Sequence, residues 1–358
     1  MTNHVKSTRR MAQTALPAAV LAAASSSEAL NEKLEKFLAD LQSENADVRY
    51  ATWIKADTVG ARIVPELGKL LASGNPGVAK AAGEALRVHV HDAAKEWDGR
   101  KRKNVMKALM ALTEADQPMK ARIAALRHLS TIGDAEAVPK TAEWLKDKEL
   151  REEAVFCLER IPGPEAGQAL MEALKSAPDD FKPRLINALG HRKEEQAVEL
   201  LAAAVDGGEA RIAIPAMKAI AQIGKKPLSN VTTPEFESLS VRDKTTYLDS
   251  GLRYADAQIE QGDFQEAMKI VRIVLKLTQE EHHLCGAIIC LGKIGGGEAA
   301  KDIGPLLKNE SPVVKDLAQK TLIALKGEDV DALLQEAMQT APNEEKKLIE
   351  PIIEARKK

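Results

Sequence analysis

Apolar positions recur three and four residues apart through most of this chain. That is the period of an amphipathic helix and not of a strand. The helical runs come in pairs. The first run of a pair closes on an apolar residue followed by glycine, as at Ile132-Gly133, Leu189-Gly190, Ile223-Gly224 and Ile294-Gly295. A tight polar turn follows, and the second run often opens near a proline. Glycine has no Cβ and takes up left-handed backbone readily, so it is a natural helix terminator. Such self-similarity predicts stacked helical hairpins, each too thin to bury its own apolar stripe.

The pattern gives boundaries. Ser25 and Glu28 have capping-box spacing ahead of Leu30, Leu34, Phe37, Leu38 and Leu41. In the first hairpin, Asn45 to Ser73, Asp47 is placed to cap a helix from Val48 to Val59. Gly60 breaks that helix, and Pro65 fits the first turn of the next. A second pair covers Val78 to Ala94 and Lys101 to Thr113. The clearest pair covers 119–145. Ile123, Leu126 and Leu129 share one side of its first helix, Gly133 ends that helix in the left-handed conformation, and Asp134 caps a second carrying Val138, Ala142 and Leu145. Turn glycines follow at 163, 190, 224, 295 and 327, in steps of 30, 27, 34, 71 and 32 from Gly133. The step of 71 is about two repeats, so one unit lies hidden between 225 and 277. Two more hairpins, Glu280 to Leu307 and Pro312 to Met338, precede a capping helix at 344–356 with Asn343 at its start. The prediction is an all-α, right-handed α-solenoid of about nine or ten hairpins over residues 28–358, elongated and curved.

Residues 119–145 resemble the HEAT-repeat family, in particular the HEAT-like repeats of the bilin lyase type. Arg122, Ala125, Leu126, Ile132, Gly133, Asp134, Ala137, Val138 and Pro139 carry the resemblance. Arg151, Ala154, Leu158, Ile161 and Gly163 continue it, as do Arg184, Ala188, Leu189 and Gly190, and Ala216, Ala219, Ile223 and Gly224. One unit, 245–277, departs from this pattern. Gly251, Tyr254, Gly262, Asp263, Phe264, Ala267 and Val271 resemble a tetratricopeptide repeat. Its entry, Lys225 to Lys244, is polar, holds Pro227 and Pro234, and lacks periodicity, which reads as a connector.

Composition agrees with tight helix packing. Apolar residues make up 44% of the 358, yet aromatics only 3%, so Ala, Leu, Ile and Val carry the core. Charged residues are 29% with a net charge of -2. That balance lacks the basic excess of a dedicated nucleic-acid binder, so no nucleic acid is expected. No run reaches the roughly 20 apolar residues of a membrane helix, so no integral membrane segment is expected. Cys157, Cys285 and Cys290 sit in helical patterns among apolar neighbours and read as core fillers, with no disulfide framework.

The first 27 residues contain no acid. Lys6, Arg9 and Arg10 precede a mildly apolar run and then Ala22-Ala23-Ala24 before three serines. This is the order of an export signal, either twin-arginine-like or Sec-like. A transit peptide, a tail or a first helix of a cytoplasmic protein fits the same residues.

Candidate chemistry is sparse. Glu280, Glu281, His282, His283 and Cys285 form the densest ligand-type cluster, but neighbouring residues on a helix face different ways and a metal needs convergence. His89 and His91 fall on opposite sides of a helix. No His-Glu dipeptide occurs, so the paired iron ligands of deoxyhypusine hydroxylase, a HEAT-repeat enzyme, are missing. No P-loop, dinucleotide fingerprint or nucleophile elbow is present. No cofactor and no metal is expected. Arg100, Lys101, Arg102 and Lys103 form the strongest basic run, placed for an acidic partner. Trp53, Trp97 and Trp144 fit either an interface or the core.

The resemblance implies a non-enzymatic scaffold whose concave groove, lined by second helices, binds another protein or peptide. Lys140, Glu143, Glu172 and Glu199 are the polar candidates on that face. A lyase or chaperone-like protein acting on a bound tetrapyrrole or similar ligand, and a DNA-contacting HEAT-like protein, are the alternatives. An apolar pocket with convergent polar groups would mark the first, and a continuous positive stripe through Arg100 to Lys103 the second.

Overall fold

A computed structural model describes residues 18–95, 99–206, 209–224 and 235–357. Among them there is no β-strand. The chain divides into two compact units, residues 1–133 and 134–358.

The first unit holds α1 (Ala18–Leu41), α2 (Ala46–Trp53), α3 (Ile63–Leu71), α4 (Pro76–Ala94), α5 (Arg100–Leu112) and α6 (Met119–Ile132). The helix α1 runs unbroken through Ser25, which is therefore not the cap the sequence pattern predicts. Alanine-rich sequence favours helix strongly enough to carry the run back to Ala18. Residues 1–17 of the expected targeting segment lie outside the described residues. Asn45, not Asp47, caps α2; its side chain accepts from Asp47 N at 2.8 Å. The helix α2 stops at Trp53, and a 3-10 turn at Ala56–Thr58 takes the place of its expected last residues. The helix α4 packs against α2, α3, α5 and α6. Ile63, Leu67, Leu86, Leu109, Leu126 and Leu129 are fully buried in this unit.

His128 on α6 brings a titration with it. Burial first, then the nearby Arg87 charge, pushes its imidazole down to about 4. The unfolded chain protonates this ring near 6.5, so between those values the unfolded state binds more protons. Stability must then fall as pH drops from 6.5 to about 4. The melting temperature of the His128→Gln variant should fall less over that window than that of the unaltered protein. Parallel curves would show that another group sets the acid limb.

The second unit holds α7 (Val138–Glu143), α8 (Arg151–Arg160), α9 (Pro164–Ser176), α10 (Lys182–Arg192), α11 (Val198–Asp206), α12 (Ala210–Ile223), α13 (Val241–Gln261) and α14 (Phe264–Leu277). It continues with α15 (Glu281–Ile294), α16 (Gly296–Ile303), α17 (Pro312–Ala324), α18 (Glu328–Thr340) and α19 (Asn343–Arg356). First helices form one row, with α8 against α10, α10 against α12, α12 against α13, α13 against α15, α15 against α17 and α17 against α19. Second helices α7 and α9, and α16 and α18, touch on the other side. The principal contacts join helices near one another in the chain, which is the contact pattern of a repeat stack.

The hidden repeat is now explained. The helices α12 and α13 are consecutive first helices in direct contact. Where α12 would have a partner, residues 225–234 lie outside the described set and 235–240 form only a 3-10 turn at Phe236–Ser238. Among the described residues, the helices from α2 to α18 form eight hairpins with α12 outside them, and α1 and α19 stand singly. In the tetratricopeptide-like unit, Gly262 takes left-handed backbone and Asp263 caps α14, accepting from Glu266 N at 3.1 Å. The capping helix α19 starts at Asn343 itself, behind Pro342, so Asn343 is not its cap.

Two of the turn glycines behave differently from expectation. Gly133 is extended, at φ -66°, because the chain passes straight into a 3-10 turn at Ala135–Ala137 capped by Asp134. Gly190 lies inside α10, and Lys193 makes the left-handed turn instead. Gly224 does end α12 at φ +74°, and its carbonyl accepts from Gln258 Nε2 at 2.9 Å and Gln261 Nε2 at 2.5 Å. Gly224→Ala should therefore cost about 1 kcal/mol. Gly74→Ala, with no atom within 4 Å of the added Cβ, should lie within about 0.5 kcal/mol of zero. Equal chemical-denaturation midpoints for the two variants would refute the backbone assignment.

Candidate functional site on the second-helix face

A hollow lies between the second helices α7 and α9. It measures about 800 Å³ and is lined by Pro139, Ala142, Leu145, Ala173, Phe181 and Leu185, with Glu143, Lys146, Lys148, Arg151 and Glu172 also on its walls. Two of the residues picked from sequence, Glu143 and Glu172, thus share one site. Lys140 lies beside it, with its Nζ 2.9 Å from Glu143 Oε2 and 5.4 Å from the centre of the Trp144 ring. Glu172 pairs with Lys175 at 2.8 Å, a bond that holds its carboxyl below the usual carboxylate range. A second hollow of about 400 Å³ opens on the other flank of α9, against α11, lined by Leu174, Lys175, Asp179, Lys182, Ala203 and Ile212 among others. Glu199 is exposed on α11 and lines neither hollow.

Two residues that matter here escaped the sequence reading of the groove. Arg151 lays its guanidinium over the Phe181 ring at 4.4 Å and donates to Asp180 Oδ2 at 2.9 Å. Arg151 was legible as a family position in its first helix. Phe181 sits in the turn before α10, outside any periodic run, and nothing in the pattern marks it.

The basic run in the first unit does not act as one patch. Consecutive helical residues diverge by about 100°. Arg100 and Lys103 are exposed, and Lys101 is half-buried, bonded to Asp92 and to the Asp57 carbonyl. Arg102 is 2% exposed and donates to the Gly133 carbonyl at 3.3 Å. It is a structural residue and is removed from the candidate partner contacts.

The remaining candidates fall into place. Cys157 and Cys290 are buried, and burial pushes their thiols up to about 12 and about 11. These are inert core groups. All three cysteines are free, and Cys285 is half-buried. His89 is fully buried with Nδ1 3.1 Å from the Ala56 carbonyl oxygen. Trp53 meets Tyr50 edge-on at 5.1 Å, while Trp97 lies outside the described residues. Contrary to the expected divergence, the His282 and His283 rings lie close, with centroids 3.9 Å apart. Asp249, from α13, joins them, its Oδ1 3.2 Å from His283 Nε2. That carboxylate lies 34 residues upstream of His283, so only the stacking of α15 on α13 reveals it.

The family model for HEAT repeats matches residues 106–183. No curated protein matches the chain. Among solved structures it is similar to an engineered protein, at 18% identity over 91% of this chain and 99% of that one, with a TM-score of 0.43. It is also similar to the CpcE and CpcF complex of phycocyanin lyase from Nostoc sp. PCC7120, at 17% identity over 82% of this chain and 94% of that one, with a TM-score of 0.34. A third is importin beta, at 15% identity over 89% of this chain and 45% of that one, with a TM-score of 0.42. No helix among the described residues is long and apolar enough to cross a membrane.

Proposed function

We propose that this chain, whose residues 106–183 are HEAT repeats, is a protein-binding scaffold that takes an extended peptide segment across α7, α9 and α11. The observation that carries this reading is the pair of hollows flanking α9 on its two sides. A compact ligand needs one enclosed pocket. A row of open hollows with apolar floors and charged walls suits a chain that lays successive side chains into successive gaps. The Phe181 ring and the small Ala142 and Ala173 floor supply apolar contact in the first hollow. Glu143, Glu172, Lys146 and Lys148 around it can orient polar groups of the segment.

The test is selection of a displayed random peptide library on the full chain, followed by titration of enriched peptides. Ala173→Trp would fill the first hollow, whose wall Ala173 forms. It should weaken groove-selected peptides by at least about tenfold, the loss of roughly 1.4 kcal/mol. Asp316→Ala, on the exposed side of α17, should leave them unchanged. Failure to enrich any peptide sensitive to Ala173→Trp would sink the proposal.

A further inference from the structure

We propose that Asp249, His282 and His283 form a binding site for a divalent transition-metal cation of the zinc class. The site lies in the second unit, away from the groove residues, and is built by the stacking of one first helix on the next. The helices α13 and α15 run side by side. Because α13 is 21 residues long and α15 only 14, Asp249, in the third turn of α13, comes level with the first turn of α15. There the two histidines begin the helix.

Three observations point to a cation. The first is convergence. One ligand atom from each of the three side chains lies within 4.8 Å of the other two. Donors around a tetrahedral or octahedral ion at about 2.1 Å stand roughly 3.0 to 3.4 Å apart. The Asp249 Oδ1 to His283 Nε2 distance of 3.2 Å already has that value. Asp249 and His282 are exposed, so small rotations of these two side chains close the set.

The second observation is a buried imidazole aimed at the other ligands. His283 is 1% exposed, and its Nε2 faces the Asp249 carboxylate at 3.2 Å. The other ring nitrogen, Nδ1, lies 3.4 Å from Thr278 Oγ1. That is the arrangement of a metal-ligating histidine, with one nitrogen held by an outer partner and the other presented to the ion.

The third is the donor chemistry. Two imidazoles and one carboxylate favour zinc, nickel or cobalt over magnesium or calcium, which prefer oxygen throughout. The nearby Glu281 is engaged elsewhere, accepting from Ser311 Oγ at 2.6 Å. It therefore leaves the set at three protein ligands, with the remaining positions open to water.

The experiment is calorimetric titration of zinc chloride into the full, tag-free chain after chelator treatment, with excess magnesium present. One saturable equivalent is expected, with a rise in melting temperature. Asp249→Asn and His282→Gln alter exposed side chains, so the fold should persist, and circular dichroism checks it. Each should weaken zinc at least about tenfold. His191→Gln, on an exposed histidine beside Glu159, should not. Cobalt in place of zinc should give a visible absorption band that both ligand variants lose. Absence of a saturable equivalent, or zinc binding unchanged in Asp249→Asn and His282→Gln, overturns the site.

Discussion

Arg192→Ala is expected to destabilise the second unit by about 3 kcal/mol, as read from chemical denaturation followed by circular dichroism. The reason is local to one guanidinium. A helix leaves its last carbonyls without intrahelical partners. At the end of α8 those carbonyls are met by Arg192, which reaches back from the end of α10. It donates to Leu158 O at 2.8 Å, Ile161 O at 2.6 Å and Gly163 O at 2.7 Å. Its side chain is only 9% exposed, so truncation leaves several carbonyls facing a space that water enters poorly. A hydrogen bond from a charged donor is worth about 1.5 to 3 kcal/mol. Relaxation and entering water recover much of it, which keeps the expected total below the simple sum over three such bonds. Arg192→Lys should recover part of the loss and no more, since one ammonium cannot span the three carbonyls that the planar fork reaches. A loss below about 0.5 kcal/mol for Arg192→Ala would show that these carbonyls are satisfied in another way.

The same device recurs with the same offset. Gln258 reaches Gly224 O and Arg356 reaches Leu322 O, each 34 residues back, as Arg192 reaches Leu158. Arg356 also meets Ile323 O at 3.1 Å and Leu325 O at 2.5 Å. The basic end of α19 therefore ties the last repeat down and is not merely a favourable charge at a helix terminus.

Gly190→Val should cost about 3 kcal/mol, and Gly190→Ala somewhat less. Gly190 is on the face of α10 that meets α12. A Cβ placed there would lie 2.9 Å from both the Cα and the Cβ of Ala219. One of those atoms is backbone, so relief requires the two helices to part. Two effects oppose each other. Replacing glycine inside a helix gains up to about 1 kcal/mol of propensity. Overpacking a closely fitted contact costs about 1 to 3 kcal/mol, occasionally more. The clash is against a helix and not a flexible side-chain tip, so the second effect wins. A Gly190→Ala variant more stable than the parent would show that α10 and α12 do not approach this closely.

The fold was legible because its signal is periodic. Apolar spacing and turn glycines recur often enough to fix the class, the hairpin order and most helix ends within a few residues. What escaped depends on contacts between repeats. The pattern assigned Gly190 to a turn because it follows Leu189 as Gly224 follows Ile223, yet its smallness serves helix approach. Asp47 and Asn45 are both good caps by residue type, and only backbone geometry chose Asn45. Arg102 looked like one member of a basic run, but its place on α5 turns it inward. Of the groove, Glu143 and Glu172 could be found by asking which side chains point off the second helices. Phe181 could not, because a turn has no period to read. Asp249 shows the limit most clearly: His282 and His283 stand together in the sequence, but only the stacking of α15 on α13 brings the Asp249 carboxylate to them.

The central claim is that each helix pair leans only on its neighbours. Hydrogen exchange read by mass spectrometry on Arg192→Ala tests it most directly. In a linear stack, protection should fall around the altered contact, in α8 to α12, while α17 to α19 keep the exchange rates of the unaltered protein. A uniform loss of protection across the whole second unit, including α17 to α19, would contradict the claim and point to one shared core.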